Sequence, residues 1–389
     1  MPPVSASVVG LEGAPEELRK WAIEAALPFW ASKGFDAAYG RFVERLTLAA
    51  EQIPGTPIRL IVQGRQVYSY AVAARHGWYP GAREIVEAAY STMIREYYRS
   101  DGRDGWICTI DRDGSVADSK RDLYSTAFAL LGIASYVEAT GKLQALALAD
   151  ETLEYMDREM RARHSGGYVE ALPLFDGPRR QNPHMHLFEA FLALWHASGE
   201  RRYLARATEM FELFRTKFFL PGAGVLGEYF DDHLAPAPGE SGSVVEPGHH
   251  YEWIWLLRRY EAATGEDVGS FVDSLYRHAD GHGHASTGLA FDELLSDGRV
   301  RLASHRTWPM TEALKANVVE AIRGRPGSME KVRRISRLLL DRFFDTVPRG
   351  GWIDRLDAHG QPATDFMPAS TLYHAICAID VLEAVRGKA

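Results

Sequence analysis

Apolar residues return at three- and four-residue intervals along most of the chain. LRKWAIEAALPFW (18–30), YSTAFALLGIASYVEATG (124–141), MHLFEAFLALWHASGE (185–200), YEWIWLLRRYEAATGE (251–266) and TEALKANVVEAIRG (311–324) all carry this spacing, which makes one face of an α-helix apolar. Gly141, Gly199 and Gly265 follow polar turns, where a residue without Cβ closes a helix at least cost. The pattern predicts a helix-dominated chain. Between the helices lie related segments, among them GWICTIDRDGSVADSKRDLYSTAF (105–128) and GGWIDRLDAHGQPATDFMPASTLYHAI (350–376). Each reads as a brief apolar strand, a turn, a polar return and then a helix with Tyr, His or Glu near its start.

Those helix starts recur. Arg65, Tyr124, His186, His249, Glu312 and His374 are separated by 59, 62, 63, 63 and 62 residues, room for two helices and their loops per unit. Six such units fill the chain and predict an all-α fold, an (α/α)6 barrel of six helical hairpins with short β-hairpins in the loops on one face. Residues 1–389 then form a single catalytic domain, and the second helix of each pair is the inner one. Polar residues at the starts of inner helices, scattered in sequence, converge on one central cavity.

Composition narrows the partners. The chain has 389 residues, 46% of them hydrophobic, and 44 basic against 52 acidic residues give a net charge of −8. That charge offers no basic field for nucleic acid or an anionic membrane, which leaves a small molecule as the expected partner. Cys108 and Cys377 have neither disulfide-framework nor zinc-site spacing, so a reducing cytoplasm is expected. The first thirty residues lack a basic segment followed by an apolar one, and no run reaches the length of a membrane span. Neither a P-loop, a dinucleotide fingerprint nor a G-x-S-x-G elbow is present.

The chemistry-bearing residues follow the same register. In PGHHYEWIWLL (247–257), His249 and Glu252 are three apart and share a helical face, an acid/base arrangement, while His250 points about 100° away and reads as packing. In QNPHMHLFEA (181–190), Asn182, His186 and Glu189 form a polar stripe and His184 reads as structural. No H-E-x-x-H spacing supports zinc, and no metal is expected. Trp308, before the helix of Glu312, offers an indole for stacking on a sugar ring, and His374 lies one turn into the last apolar helix. His278, His282 and His284 fall in a Gly-rich stretch outside the register and read as a solvated loop. Arg179 and Arg180 leave a phosphorylated or sulfonated sugar open, and Arg121, before Asp122, is a phosphate candidate with no P-loop or dinucleotide fingerprint beside it.

NPHMHLFEA, EPGHHYEWIWLL, WPMTEA and PASTLYH, in this order and spacing, resemble the N-acylglucosamine 2-epimerase superfamily, and most closely its D-mannose isomerase branch. The resemblance runs from RQVYSYAVAA (65–74) to the C-terminus and implies an (α/α)6 barrel that interconverts sugars without a cofactor. It implies two catalytic histidines, His249 and His374, and substrate-binding positions at Arg65, Tyr124, Asn182, His186, Glu252, Trp308 and Glu312. Met310 stands where family members carry Gln, so an amide is missing there. The implied activity is aldose–ketose isomerisation of D-mannose and D-fructose by proton transfer through a cis-enediol. His374 is expected to take and return the carbon proton, with His249, oriented by Glu252, moving protons among the sugar oxygens. The alternatives are a sugar 2-epimerase, with an N-acylglucosamine, mannose/glucose or cellobiose substrate, or an (α/α)6 glycoside hydrolase using two of Asp122, Glu252 and Glu312. A third is a sugar-binding protein without turnover. A monomer or homodimer is expected.

Overall fold

The computed structural model describes residues 12–174, 176–344 and 348–386. Much of the N-terminal stretch read for a leader, residues 1–11, lies outside the described residues. Six inner helices are α2 (Leu60–His76), α4 (Leu123–Thr140), α6 (Gln181–Ser198), α8 (Pro247–Thr264), α10 (Thr307–Ile322) and α12 (Thr371–Arg386). The outer ones are α1 (Ala14–Trp21), α3 (Ala82–Tyr97), α5 (Leu146–Tyr155), α7 (Arg201–Leu213), α9 (Gly269–His282) and α11 (Ser328–Leu339). Each inner helix packs on the next, and α12 packs on α2, giving the (α/α)6 arrangement that the period predicts.

Why the two sets differ is legible in their side chains. Inner helices are apolar nearly all round: in α4 every residue from Ser125 to Val137 is buried. Outer helices carry a single apolar stripe, as at Val272, Leu275, Tyr276 and Ala279 of α9. Gly141, Gly199 and Gly265 close α4, α6 and α8 in the left-handed conformation, at φ 73°, 72° and 79°. Two inner helices approach unusually closely, because a Cβ on Gly64 of α2 would lie 2.2 Å from the Phe128 carbonyl oxygen of α4. That contact seats Arg65, the next residue, against the aromatic face of α4.

The loops at the N-terminal ends of the inner helices carry more than local hairpins. The strand that leads into each inner helix pairs with a strand of the following unit, as Ile58–Arg59 does with Thr109–Ile110 and Arg179–Arg180 with Tyr229–Phe230. In the last unit, Phe366–Pro368 pairs with Arg45–Thr47 of the first, so the strand relay also returns to its start. Backbone hydrogen bonds between units therefore fix the inner-helix N-termini relative to one another.

One expectation from the sequence is corrected here. His278 and His282 are in helix α9, not in a solvated loop, and His278 stacks on His250 with ring centroids 5.3 Å apart. His284, just beyond, bonds the Tyr251 hydroxyl at 2.9 Å and the Gly288 carbonyl at 3.1 Å. Gly281, Gly283 and the polar residues among them masked the apolar stripe of α9.

Candidate active site

At the N-terminal ends of the inner helices, contacts run from side chain to side chain across all six. Arg65 of α2 donates from Nη2 to the Tyr124 hydroxyl of α4 at 2.8 Å, and its guanidinium lies 4.2 Å from the Phe128 ring centroid. Tyr124 meets the His186 ring of α6 edge-on at 5.1 Å. His186 donates from Nδ1 to Glu189 at 3.0 Å, and the other Glu189 oxygen accepts from the Tyr373 hydroxyl of α12. Burial opposes the charge of Glu189, yet the His186 hydrogen bond holds its carboxyl below the usual range. Tyr373 touches His374 at 4.9 Å, and Trp308 of α10 lies between His374 and His249, at 5.9 Å and 4.9 Å from their rings. Gly248 makes room for that indole, since a Cβ there would fall 2.5 Å from it.

The two histidines share one device, a carboxylate on Nδ1. His374 meets Glu312 Oε1 at 2.9 Å, and Glu312 in turn pairs with the Lys315 ammonium at 2.6 Å. His249 meets both oxygens of Glu228 at 3.0 Å, with Glu246 at 4.0 Å. Glu228 is held by Gln181 Nε2 at 3.0 Å, and Glu246 by Arg306 at 3.0 Å. Their surroundings push them apart. Burial is the largest influence on His249 and pulls it down, but Glu228 and Glu246 together outweigh it and raise its pKa to about 9. His374 goes well below the ordinary value, by burial first and then by the charges of Arg65 and Lys315. One imidazole is thus protonated and the other neutral near pH 7.

Among the described residues, Arg65 Nε, Asn182 Oδ1 and Glu252 Oε1 are buried here with no hydrogen-bond partner, and Glu312 Oε2 has only its ion pair with Lys315. A buried donor or acceptor left unpaired is costly, and in a cluster such atoms mark where a polar ligand completes the bonding. Among the described residues, two trios of donor atoms lie each within 4.8 Å of one another, His186, Glu189 and Glu252 in one and Glu228, Glu246 and His249 in the other. In both trios the imidazole Nδ1 already faces a carboxylate oxygen at 3.0 Å.

Sequence reasoning brought most of this set together but misassigned one partner. His249 bonds Glu228, on the loop 21 residues upstream, and not Glu252, because Glu252 lies toward His186 and Glu189. Nothing local in the sequence ties Glu228 to a helix it precedes by that distance. Lys315 was missed although it stands three residues after Glu312 on one face, a readable signal. His184 and His250 are structural: each offers Nδ1 to the carbonyl four residues back, Arg180 and Glu246, and accepts on Nε2 a backbone N–H, of Tyr168 and Leu226. Burial lowers both to about 3, so both stay neutral. Met310 occupies the matching fourth position of α10, and its sulfur accepts the Ala290 N–H at 3.2 Å. The missing amide therefore falls at a structural position. Asp122 caps α4 through Ser125, Arg121 is held by Asp101, Arg179 by the Tyr168 carbonyl and Arg180 by Glu170.

The pattern defining the N-acylglucosamine 2-epimerase (GlcNAc 2-epimerase) family matches residues 40–378. The chain belongs to this family of sugar epimerases and isomerases. Within the GlcNAc 2-epimerase family it is 35% identical over 380 residues to a mannose-6-phosphate isomerase of Rhizobium meliloti, covering 94% of this chain and 96% of that one. It is 28% identical over 302 residues, 72% of each chain, to a D-mannose isomerase of Thermobifida fusca. The solved cellobiose 2-epimerase of Spirochaeta thermophila superposes with a TM-score of 0.83 at 25% identity, covering 96% of both chains.

Proposed function

We propose that the protein moves a proton at C2 of a reducing sugar through a cis-enediol, by acid/base catalysis between His374 and His249. The observation that carries this is the opposed tuning of two imidazoles on either side of Trp308, one neutral and one protonated. Proton abstraction beside a carbonyl needs a neutral base at carbon and a donor at oxygen, and the pair provides both. Arg65, whose Nε lacks a partner, stabilises the charge that develops on the enediol oxygen. Asn182, His186, Glu252 and Trp308 hold the remaining hydroxyls and the ring face, while Glu312 acts through His374.

Two outcomes share this first step. Return of the proton to C1 gives a ketose, fructose from mannose, and the relatives named for mannose and mannose 6-phosphate support this reading. Return to C2 from the other histidine gives a 2-epimer. The presence of a charged donor opposite a neutral base favours this second reading, as does the likeness to the cellobiose 2-epimerase. Incubation of mannose, mannose 6-phosphate, glucose and cellobiose in D2O, followed by NMR, separates them. Ketose deuterated at C1 identifies the isomerase, and an epimer deuterated at C2 the epimerase. Conversion without exchange at C2 or C1, or a His374→Asn variant with the wild-type rate, would refute the proton-transfer reading.

A further inference from the structure

We propose that Lys315 is a positioning residue of this site: its ammonium keeps Glu312 ionised, and the ionised carboxylate keeps the proton of His374 on Nδ1, leaving Nε2 bare. The inference rests on the reading of His374 as the base at carbon. Lys315 is completely buried one turn beyond Glu312 on α10. Its Nζ lies 2.6 Å from Glu312 Oε2, 3.5 Å from Cys377 Sγ and 3.8 Å from the centroid of Trp255. Among the described residues it is the only Lys or Arg paired with Glu312.

A buried ammonium is a poor stabiliser, since an apolar side chain of the same volume is often as good or better. Its effect on the neighbouring carboxylate is a different matter. Glu312 faces Glu252 and Glu189 as well as Lys315, and burial followed by the Glu252 charge drives its carboxyl strongly upward. Lys315 and its hydrogen bond pull it down without cancelling that rise, and the ammonium 2.6 Å from Oε2 is the contact on which the ionised form of Glu312 depends. His374 is faced by Arg65, Lys315, His186 and His249, and remains neutral, so a single ring nitrogen carries its proton. Glu312 decides which nitrogen. A carboxylate can only accept, which places the proton on Nδ1 and the lone pair on Nε2. A protonated carboxyl would donate to Nδ1 instead, move the imidazole proton to Nε2 and remove the base from the face that meets substrate. The proton inventory is the same in both tautomers except for the one proton that Glu312 gains from solvent.

The test uses the full chain labelled with 15N-histidine, with His374 assigned by its loss in His374→Asn, and a Lys315→Met variant that keeps the stem against Trp255. In the wild type, the expected state of His374 is protonated Nδ1 and bare Nε2. In Lys315→Met the expected state is the reverse, with kcat lowered on the order of 10⁴-fold, as wrong-tautomer variants of histidine bases behave, and KM little changed. Lys315→Arg, which keeps the charge, is expected to keep the wild-type tautomer and more of the rate. A wild-type His374 protonated on Nε2 overturns the proposal, even if Lys315→Met does not fold. So does a folded Lys315→Met protein whose Nε2 stays bare. The tautomer is read without turnover, so a protein that converts no sugar would refute the reading of the reaction and leave the role of Lys315 to the NMR result.

Discussion

Removing the charge of Glu228 tests the electrostatics of the site most directly. Glu228→Gln keeps an oxygen to accept the Nδ1–H of His249 but deletes the carboxylate that meets that ring through both oxygens at 3.0 Å. Glu228 and Glu246 raise His249 to about 9, from an ordinary imidazole value of 6.5. At 1.36 kcal/mol per unit, that rise corresponds to roughly 3 kcal/mol of preference for the charged ring. Glu228 is the largest of the influences that raise it, with Glu246 second, while burial pulls the other way and stays in place in the variant. His249 is therefore expected to titrate at or below its ordinary value in Glu228→Gln. At pH 7.5 its protonated fraction would fall from about 97% to about 10% or less. The sign for stability follows: a histidine raised on folding stabilises the folded state below pH 6.5, and that contribution disappears as pH climbs through about 9. The variant should lose this part of the decline. The assay is an NMR titration of 15N-histidine, with melting temperature followed from pH 6 to 10. A His249 midpoint that stays near 9 in Glu228→Gln would refute the reasoning and transfer the effect to Glu246.

Three further outcomes are expected. Glu252→Gln should melt no lower than the wild type, because it deletes a buried carboxylate with an unpartnered oxygen, yet lose on the order of 100-fold in kcat/KM if that oxygen binds substrate; differential scanning calorimetry and steady-state kinetics measure the two. Gly248→Ala places a methyl 2.5 Å from Trp308, and should cut kcat/KM on the order of tenfold by displacing the indole, checked by the intrinsic fluorescence of the folded variant. Dialysis against a strong chelator should leave the rate unchanged; a loss restored by one added divalent metal would assign an ion to one of the two donor trios.

How far the sequence discloses this site depends on where each interaction lies. The six-fold period is written in the spacing of Arg65, Tyr124, His186, His249, Glu312 and His374, because each is set by its own helix start, and a repeat constrains local register. The same locality explains the reading of His184 and His250, whose i−4 carbonyl bonds need only one helix. The misses are of the other kind. Glu228 reaches His249 from a loop 21 residues upstream, Tyr373 closes on Glu189 across 184 residues, and Glu312 reaches His374 across 62. Closure of a ring creates such pairs, and no spacing rule within one unit predicts them. The inter-unit strand pairs went unread for the same reason, since a two-residue strand has too little pattern to name its partner.

The ring also explains how one repeated unit yields two unlike histidines. Each stands near the start of an inner helix and each gives Nδ1 to a carboxylate, so the local chemistry is the same and would by itself raise both. The difference comes from the second neighbour. Beside His249 the loop adds another carboxylate, Glu246, to Glu228, and the Arg306 that pairs with Glu246 is shared with Asp292. Beside His374 the adjoining helices add cations, Arg65 from α2 and Lys315 from α10, and His249 itself is charged. A proton on His249 therefore helps to keep His374 neutral. The pH–rate profile therefore reads a base that stays neutral and an acid that is charged. Its high-pH limb should fall as His249 deprotonates near 9, and Glu228→Gln, whose contact is with His249, should move that limb to lower pH while leaving the His374 tautomer, set by Glu312, intact.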